Sequence, residues 1–290
     1  MDLNISDSKR LSRRKFLRRG VGGLGATAAG TFLYTWRVEP HWVEVIHHPM
    51  PIAGLPTPLI GKRIVQLSDL HAGRVVDQSF LTRSIAGIAE LQPDLIVITG
   101  DFMSCESVEE LPKALDAMRA LPAAPLGRLA VLGNHDYGTA WKQNTVADKL
   151  VAGLEKLDVQ VLRNDVVDVA GLQVAGVDDL WSARYDAEKT LGQLHSDRPA
   201  LALCHNPDAV DLPEWNDFRG WILSGHTHGG QCKPPFLPPP LLPVKNRRYV
   251  AGEYDVGTGR RLYINRGLGY LRRVRFNARP EITVFTLAQA

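Results

Sequence analysis

Three apolar runs of strand length recur at an even interval, and each ends in a residue able to hold a metal or a proton. Ile64-Val65-Gln66-Leu67-Ser68 leads into Asp69-Leu70-His71. Leu95-Ile96-Val97-Ile98-Thr99 leads into Gly100-Asp101, and Leu129-Ala130-Val131-Leu132 leads into Gly133-Asn134-His135-Asp136. Asp69 and Asp101 are 32 residues apart; Asp101 and Asn134 are 33 apart. That interval is one strand–helix–strand unit, which brings the carboxyl ends of neighbouring parallel strands to one sheet edge. Ligands of open α/β sheets collect at such an edge. Strand ends are polar in general, so three of them alone do not make a site.

Two later segments repeat the design. Ala200-Leu201-Ala202-Leu203-Cys204 runs into His205-Asn206. Trp221-Ile222-Leu223 runs into Ser224-Gly225-His226-Thr227-His228-Gly229-Gly230. Glycines on both sides of the two histidines allow a tight turn and a close approach to a ligand. Five strand ends therefore aim oxygen and nitrogen atoms at one crevice.

The segments between them read as helices and short strands. Apolar Phe80, Leu81, Ile85, Ile88 and Leu91 fall on one face of a helix from Ser79 to Leu91. Further helices are expected over Glu109–Leu121, Asn144–Leu157 and Ala187–Ser196. Val159–Leu162, Val166–Val169 and Leu172–Val177 read as antiparallel hairpin strands, separated by Asn164-Asp165 and Ala170-Gly171. Strands close the chain at Leu262–Asn265 and Ile282–Leu287. Residues 37–61, with five prolines, read as a linker with an edge strand at Trp42–Ile46. Residues 233–248 are a stiff proline-rich loop. No internal repeat or second domain is evident, and residues 62–290 form the main domain.

Charge is distributed unevenly. Residues 1–20 hold seven Lys/Arg against two Asp/Glu, residues 21–232 hold 16 against 26, and residues 233–280 hold 11 against two. The basic start, Ser12-Arg13-Arg14-Lys15-Phe16-Leu17, precedes an uncharged, mildly apolar stretch from Gly20 to Trp36. A charged region followed by an apolar one is an export signal, and the paired arginines resemble the twin-arginine type. Residues 1–36 are thus read as a signal for the twin-arginine machinery, either cleaved or retained as an anchor. No clear cleavage site lies between Tyr34 and Pro40. Three cysteines are too few for a disulfide scaffold. Cys105, Cys204 and Cys232 are read as small buried groups in preference to a Cys105–Cys232 bridge.

The candidate ligands are Asp69, His71, Asp101, Asn134, His205, His226 and His228. Seven oxygen and nitrogen donors exceed what one tetrahedral zinc requires. They suit a pair of divalent ions, with Mn, Fe and Zn all compatible with the mixed set. Two such ions about 4 Å apart are the standard device for phosphoryl displacement, sharing a bridging hydroxide as nucleophile.

In order, Asp69-x-His71, Gly100-Asp101, Gly133-Asn134-His135-Asp136, His205 and Gly225-His226-Thr227-His228 resemble the five blocks of the calcineurin-like metallophosphoesterases. The resemblance spans about residues 62–230. The twin-arginine start, Gly229-Gly230-Gln231 and the segment Arg275-Phe276-Asn277-Ala278-Arg279-Pro280-Glu281-Ile282 are similar to the exported bacterial YaeI/YkuE-like phosphodiesterase branch. The resemblance implies an α/β fold of four layers, two mixed sheets packed together with helices outside. It implies that Asp69, His71 and His228 hold one metal, that Asn134, His205 and His226 hold the second, and that Asp101 bridges both. His135 would protonate the leaving oxygen. Asp136 would either orient His135 or hydrogen-bond the loop. Asp94, Asp178 and Asp179 read as turn residues.

Two departures narrow the activity. Protein phosphatases of the family carry Asp and Arg where this chain has Ser104 and Cys105. Their absence argues against a protein phosphatase and, less strongly, for diester substrates; a diester or a pyrophosphate is the expected bond. Ser104 also stands where purple acid phosphatases place a ligating tyrosine. Arg266, Arg272, Arg273 and Arg275 are candidates to line the crevice, with Arg266 and Arg272 as substrate-binding groups; solvated surface charge is the alternative.

The expected substrate is a phosphate ester outside the cytoplasmic membrane, with cell-envelope or lipid-linked esters as one class. A rival is UDP-2,3-diacylglucosamine hydrolysis, which suits the apolar loop around Phe236 but places the substrate on the cytoplasmic side. A second rival is a metal-stabilised binding scaffold, against which stand the seven ligands and His135. No aromatic-interleaved basic motif points to nucleic acid.

Overall fold

Residues 13–104 and 110–290 are described by a computed structural model. Among them, twelve strands form two six-stranded mixed sheets. The first runs in the order β1 (Glu44–Ile52), β12 (Glu281–Gln289), β2 (Arg63–Leu67), β3 (Leu95–Thr99), β4 (Arg128–Val131) and β5 (Gln160–Val161). The second runs β10 (Gly252–Asp255), β11 (Arg260–Ile264), β9 (Gly220–Ser224), β8 (Ala200–Cys204), β7 (Leu172–Val177) and β6 (Asp165–Val169). Strands β2 to β5 are parallel, as are β7, β8, β9 and β11.

The period of two in each strand decides the layers. Ile64, Leu95 and Val97 face the second sheet, where they meet Val174, Leu201, Leu203 and Trp221. Val65, Ile96 and Ile98 face outward onto α2 (Gln78–Ala86), α3 (Leu111–Met118) and α4 (Asn144–Glu155). In β8, Ala202 and Cys204 face out toward α5 (Ala187–Leu191) and Trp215. Both faces of each central strand are buried, as an almost unbroken apolar run requires. The result is the expected four-layer α/β sandwich.

Local chemistry sets the helix ends. The Asp77 carboxylate accepts from the Ser79 and Phe80 amides and starts α2. The helix expected to Leu91 is α-helical only to Ala86, then tightens into a 3₁₀ segment that Gln92 ends in a left-handed conformation. The expected start of α3 at Glu109 lies outside the described residues. The last helix is shorter than expected, ending at Leu191.

The stretch Val159–Leu162 is not a hairpin strand. Its residues 160–161 pair parallel with β4, at the edge of the first sheet. A crossover through α4 returns the chain beside β4, the connection a parallel pair requires. The hairpin Asp165–Val169 with Leu172–Val177 forms as expected. Strand β10 was not anticipated.

Strand β1 is an edge strand longer than Trp42–Ile46, and it contains Pro49 and Pro51. Two residues apart, both prolines lack the N–H on the same side, and a free edge needs none. Helix α1 (Arg13–Leu33) is exposed, and Ser12 lies outside the described residues. No helix among the described residues is long and apolar enough to cross a membrane.

Candidate metal centre

The carboxyl ends of β2, β3, β4, β8 and β9 lie together at one end of the two packed sheets. The buried Gln66 amide joins them by donating to Thr99 Oγ1 and to the Ser224 carbonyl, both at 3.0 Å. Gly225 lies so close to Ser68 and Asp69 that a methyl group there would overlap the Ser68 hydroxyl and the Asp69 carboxylate. A glycine at this position is what lets the β9 turn approach the β2 turn.

The backbone of the site is strained. Asp69 (φ 51°), His71 (φ 46°), Asp101 (φ 57°), His226 (φ 70°) and His228 (φ 52°) all occupy the left-handed region. Each such residue costs on the order of 1–3 kcal/mol and persists only where its surroundings over-determine it.

All seven expected ligands are buried, each at most 5% exposed, and the six Asp and His residues among them converge. His71 Nε2 and His228 Nε2 converge to 2.9 Å, and Asp69 Oδ1 lies 3.3 Å from His228 Nε2. His226 Nδ1 and His205 Nε2 are 3.1 Å apart. Asp101 Oδ2 stands between the two groups, 3.6 Å from His71 Nε2 and 3.2 Å from His205 Nε2. Asp69, His71 and His228 form one set of converging donors, and Asp101, His205 and His226 form another. Both amide atoms of buried Asn134 lack a hydrogen-bond partner, a costly arrangement unless a ligand completes it.

The electrostatics have the character of a cation site. Burial pushes His71 and His226 down to about 3 and lowers His228 as well, so these imidazoles are neutral and available as ligands. Burial pushes Asp69 up to about 6, and the Asp101 charge adds to the rise. Burial opposes protonation of His205, but the Asp101 carboxylate outweighs it and holds this imidazole well above its ordinary value. Burial likewise opposes ionisation of Asp101, and His205 overcomes it. Among the described residues, Asp69 and Asp101 have only histidines as ion-pair partners. Two buried carboxylates with His205 and three neutral imidazoles around them are a donor set that fits divalent cations.

His135 is half-buried beside the first set, its ring 5.0 Å from that of His71 and at 87° to it. Its Nδ1 donates to the Ser104 carbonyl at 2.9 Å, leaving Nε2 as the exchangeable nitrogen. Its backbone amide donates to Asp101 Oδ1 at 2.9 Å. Trp141 and Trp181 stack at 4.9 Å and continue an aromatic wall from His135 to His226.

One open alternative is decided and two sequence expectations are corrected. Asp136 hydrogen-bonds the loop and has no bond to the His135 ring. Its carboxylate accepts from the amides of Asp101, Phe102, Met103 and Gly133 at 2.8–3.2 Å, so it clamps the Asp101 turn. Arg266 is not a free substrate-binding group, because its guanidinium is paired with Glu281 and with Glu44. Arg275 does not line the crevice. It is fully buried and donates to the carbonyls of Arg266, Gly267, Gly269 and Ala278, and burial pushes it down to about 10. Arg272 is exposed, and its carbonyl accepts from Gln231 Nε2.

Asp94 is a turn residue that binds Lys62 and the Arg63 amide. Asp178 and Asp179 are buried, and Asp178 holds Tyr137 and Arg163. Cys204 and Cys232 are free, and Cys105 lies outside the described residues. Sequence reasoning missed Ser104 and the two tryptophans as parts of the site. Ser104 had a signal, its position three residues after Asp101; the tryptophans had none.

Comparison with known proteins agrees with this geometry. Residues 62–230 match the family model described as calcineurin-like phosphoesterase. The metallophosphoesterase YkuE of Bacillus subtilis is 37% identical, over 96% of this chain and 98% of its own. Phosphodiesterase YaeI of Escherichia coli is 33% identical, over 96% of this chain and 99% of its own. UDP-2,3-diacylglucosamine pyrophosphatase LpxG of Chlamydia trachomatis is 29% identical, over 88% of this chain and 93% of its own. The chain belongs to the calcineurin-like phosphoesterases and is a phosphoester hydrolase with His/Asp clusters able to hold metal.

Proposed function

We propose that the chain hydrolyses phosphodiester or pyrophosphate bonds at a centre of two divalent ions. Asp69, His71 and His228 hold one ion, Asn134, His205 and His226 hold the other, and Asp101 serves both. The observation that carries this reading is the position of Asp101 Oδ2 between the two donor sets. When bound, the ions supply an activated water and neutralise phosphate oxygens. His135 Nε2 donates a proton to the leaving oxygen, with Nδ1 held by Ser104. The strained turns keep the donors pre-organised, so little reorganisation is needed when substrate arrives.

Preference for diesters over monoesters is supported by the residue after Asp101 in third place. Ser104 donates its hydroxyl to the His71 carbonyl at 2.9 Å and offers no charge to a phosphate dianion. The native metal, among Mn, Fe and Zn, follows from supply in the compartment where the chain folds. Residues 1–36 are read as a twin-arginine signal, which places the enzyme on the outer side of the cytoplasmic membrane, cleaved or anchored. A lipid-linked substrate is supported by the relative named for UDP-2,3-diacylglucosamine hydrolysis.

The test is a panel of mono- and diesters assayed on protein loaded separately with each metal. Faster turnover of diesters is expected. A clear preference for monoesters under every metal would overturn the diester reading.

A further inference from the structure

The proline-rich loop after the last donor block carries the most exposed large apolar side chain among the described residues. Phe236 is fully exposed, Leu241 is 77% exposed, and Leu237 and Leu271 are exposed beside them. The loop is braced. Arg247 donates to the carbonyls of Pro239 and Leu242 at 2.8 and 3.3 Å, and Lys233 N donates to the Phe276 carbonyl at 2.8 Å. Leu242 and Val244 are buried, and Pro239 lies against Gly230. Exposing Phe236 and Leu241 is therefore a property of a fixed loop, and apolar surface held out on purpose marks an interaction site.

Its surroundings are cationic. Residues 229–252 contain no Asp or Glu. Other basic residues of the C-terminal third are occupied: Arg261 pairs with Glu253, Arg266 and Arg279 pair with Glu44, and Arg260 and Arg275 are buried on carbonyls. The side chains of Lys233, Lys245, Arg247, Arg248, Arg272 and Arg273 form no ion pair with a carboxylate among the described residues, although the Lys245 and Asn246 amides hold Asp208, Arg247 is bonded to loop carbonyls and Arg273 lies over Trp36. They flank the loop or lie on the neighbouring 271–276 turn, which is tied to it through Gln231 and Phe276. A projecting apolar tip on a loop flanked by cations without carboxylate ion-pair partners matches a bilayer surface, with apolar groups among the acyl chains and cations at anionic headgroups.

The loop also reaches the donor cluster, because the Pro243 carbonyl meets His226 Nε2 at 2.8 Å. We infer that the Phe236–Leu241 loop docks the protein on an anionic lipid bilayer, with the metal centre opening toward phosphoesters of the headgroup layer. The docking itself stands on the loop; the choice of headgroup phosphoesters as substrate rests on the hydrolase reading above.

The experiment uses the full chain and vesicles of phosphatidylcholine with or without phosphatidylglycerol. Wild type should sediment with the mixed vesicles and only weakly with phosphatidylcholine alone. Phe236→Ser, Leu237→Ser and Leu241→Ser together should weaken binding by at least about tenfold, from the apolar area removed. Helix α1 is exposed and could retain some binding, so depth is read directly. Phe236→Trp should add emission that brominated acyl chains quench beyond the wild-type level. No added quenching at position 236 would overturn the inference, as would self-association of the wild type with no vesicle binding. Turnover of soluble bis(4-nitrophenyl) phosphate by the metal-loaded triple variant should match wild type, which shows that the variant is folded. Failure of wild type to turn over any soluble ester would sink the hydrolase reading while leaving the docking result to stand.

Discussion

The Ser104 carbonyl oxygen accepts the Nδ1 proton of His135 at 2.9 Å. The Ser104 hydroxyl in turn donates to the His71 carbonyl at 2.9 Å. One residue thus ties the candidate proton donor to a candidate ligand, through the turn that follows Asp101. Holding Nδ1 as the donor fixes the tautomer and leaves Nε2 to exchange a proton with substrate.

His135→Ala should therefore keep its metal, since the donor sets around Asp69 and His205 remain intact. An alkyl-type diester should slow by about 10²–10⁴-fold, the usual size of general-acid catalysis. A nitrophenyl ester leaves as a stabilised phenolate, so its loss should be clearly smaller. Equal losses on both substrates, with metal content unchanged, would assign His135 to phosphate binding.

Asp101→Ala should lose most activity together with metal, because this carboxylate stands between both donor sets. Wild type is expected to hold two divalent ions per chain by elemental analysis, and the variant fewer. Finding one ion or none in fully active wild type would rule out the two-ion centre.

Gly225→Ala places a methyl group onto the Ser68 hydroxyl and the Asp69 carboxylate. Overpacking of this kind costs about 1–3 kcal/mol. A lower urea midpoint and weaker metal retention should appear together, since the displaced group is a candidate ligand. Gly87→Ala, where the added methyl meets nothing within 4 Å, serves as the control and should leave metal binding unchanged.

Arg13→Lys combined with Arg14→Lys keeps every charge of the N-terminus. Export should nevertheless fail and the protein remain in the cytoplasm, because the twin-arginine pair is read by a receptor. Unchanged export of this variant would assign the chain to the general secretory route.

The parts of the protein that the chain spells out locally were legible without a structure. Strand period, helix period and the 32- and 33-residue intervals depend on residues close in sequence; they marked the parallel strands and the polar strand ends, and the family resemblance added the four layers and the ligand roles. The hairpin at Asp165–Val177 was legible for the same reason. The residues whose roles were misread or left open owe them to distant partners. Arg266 meets Glu44 from 222 positions away, and Asp136 clamps amides more than thirty positions earlier. Arg275 is buried because the Gly267–Gly269 turn wraps it with carbonyls. A charge in the sequence does not state which carboxylate or carbonyl will satisfy it, since that pairing exists only after the sheets have packed. The same holds for β5, whose two residues have no pattern of their own and take their place from the crossover that delivers them. Chemistry carried by side-chain type and period was thus determined by the sequence; the satisfaction of each buried polar group was decided by the tertiary structure, because burial must supply a partner wherever water is excluded.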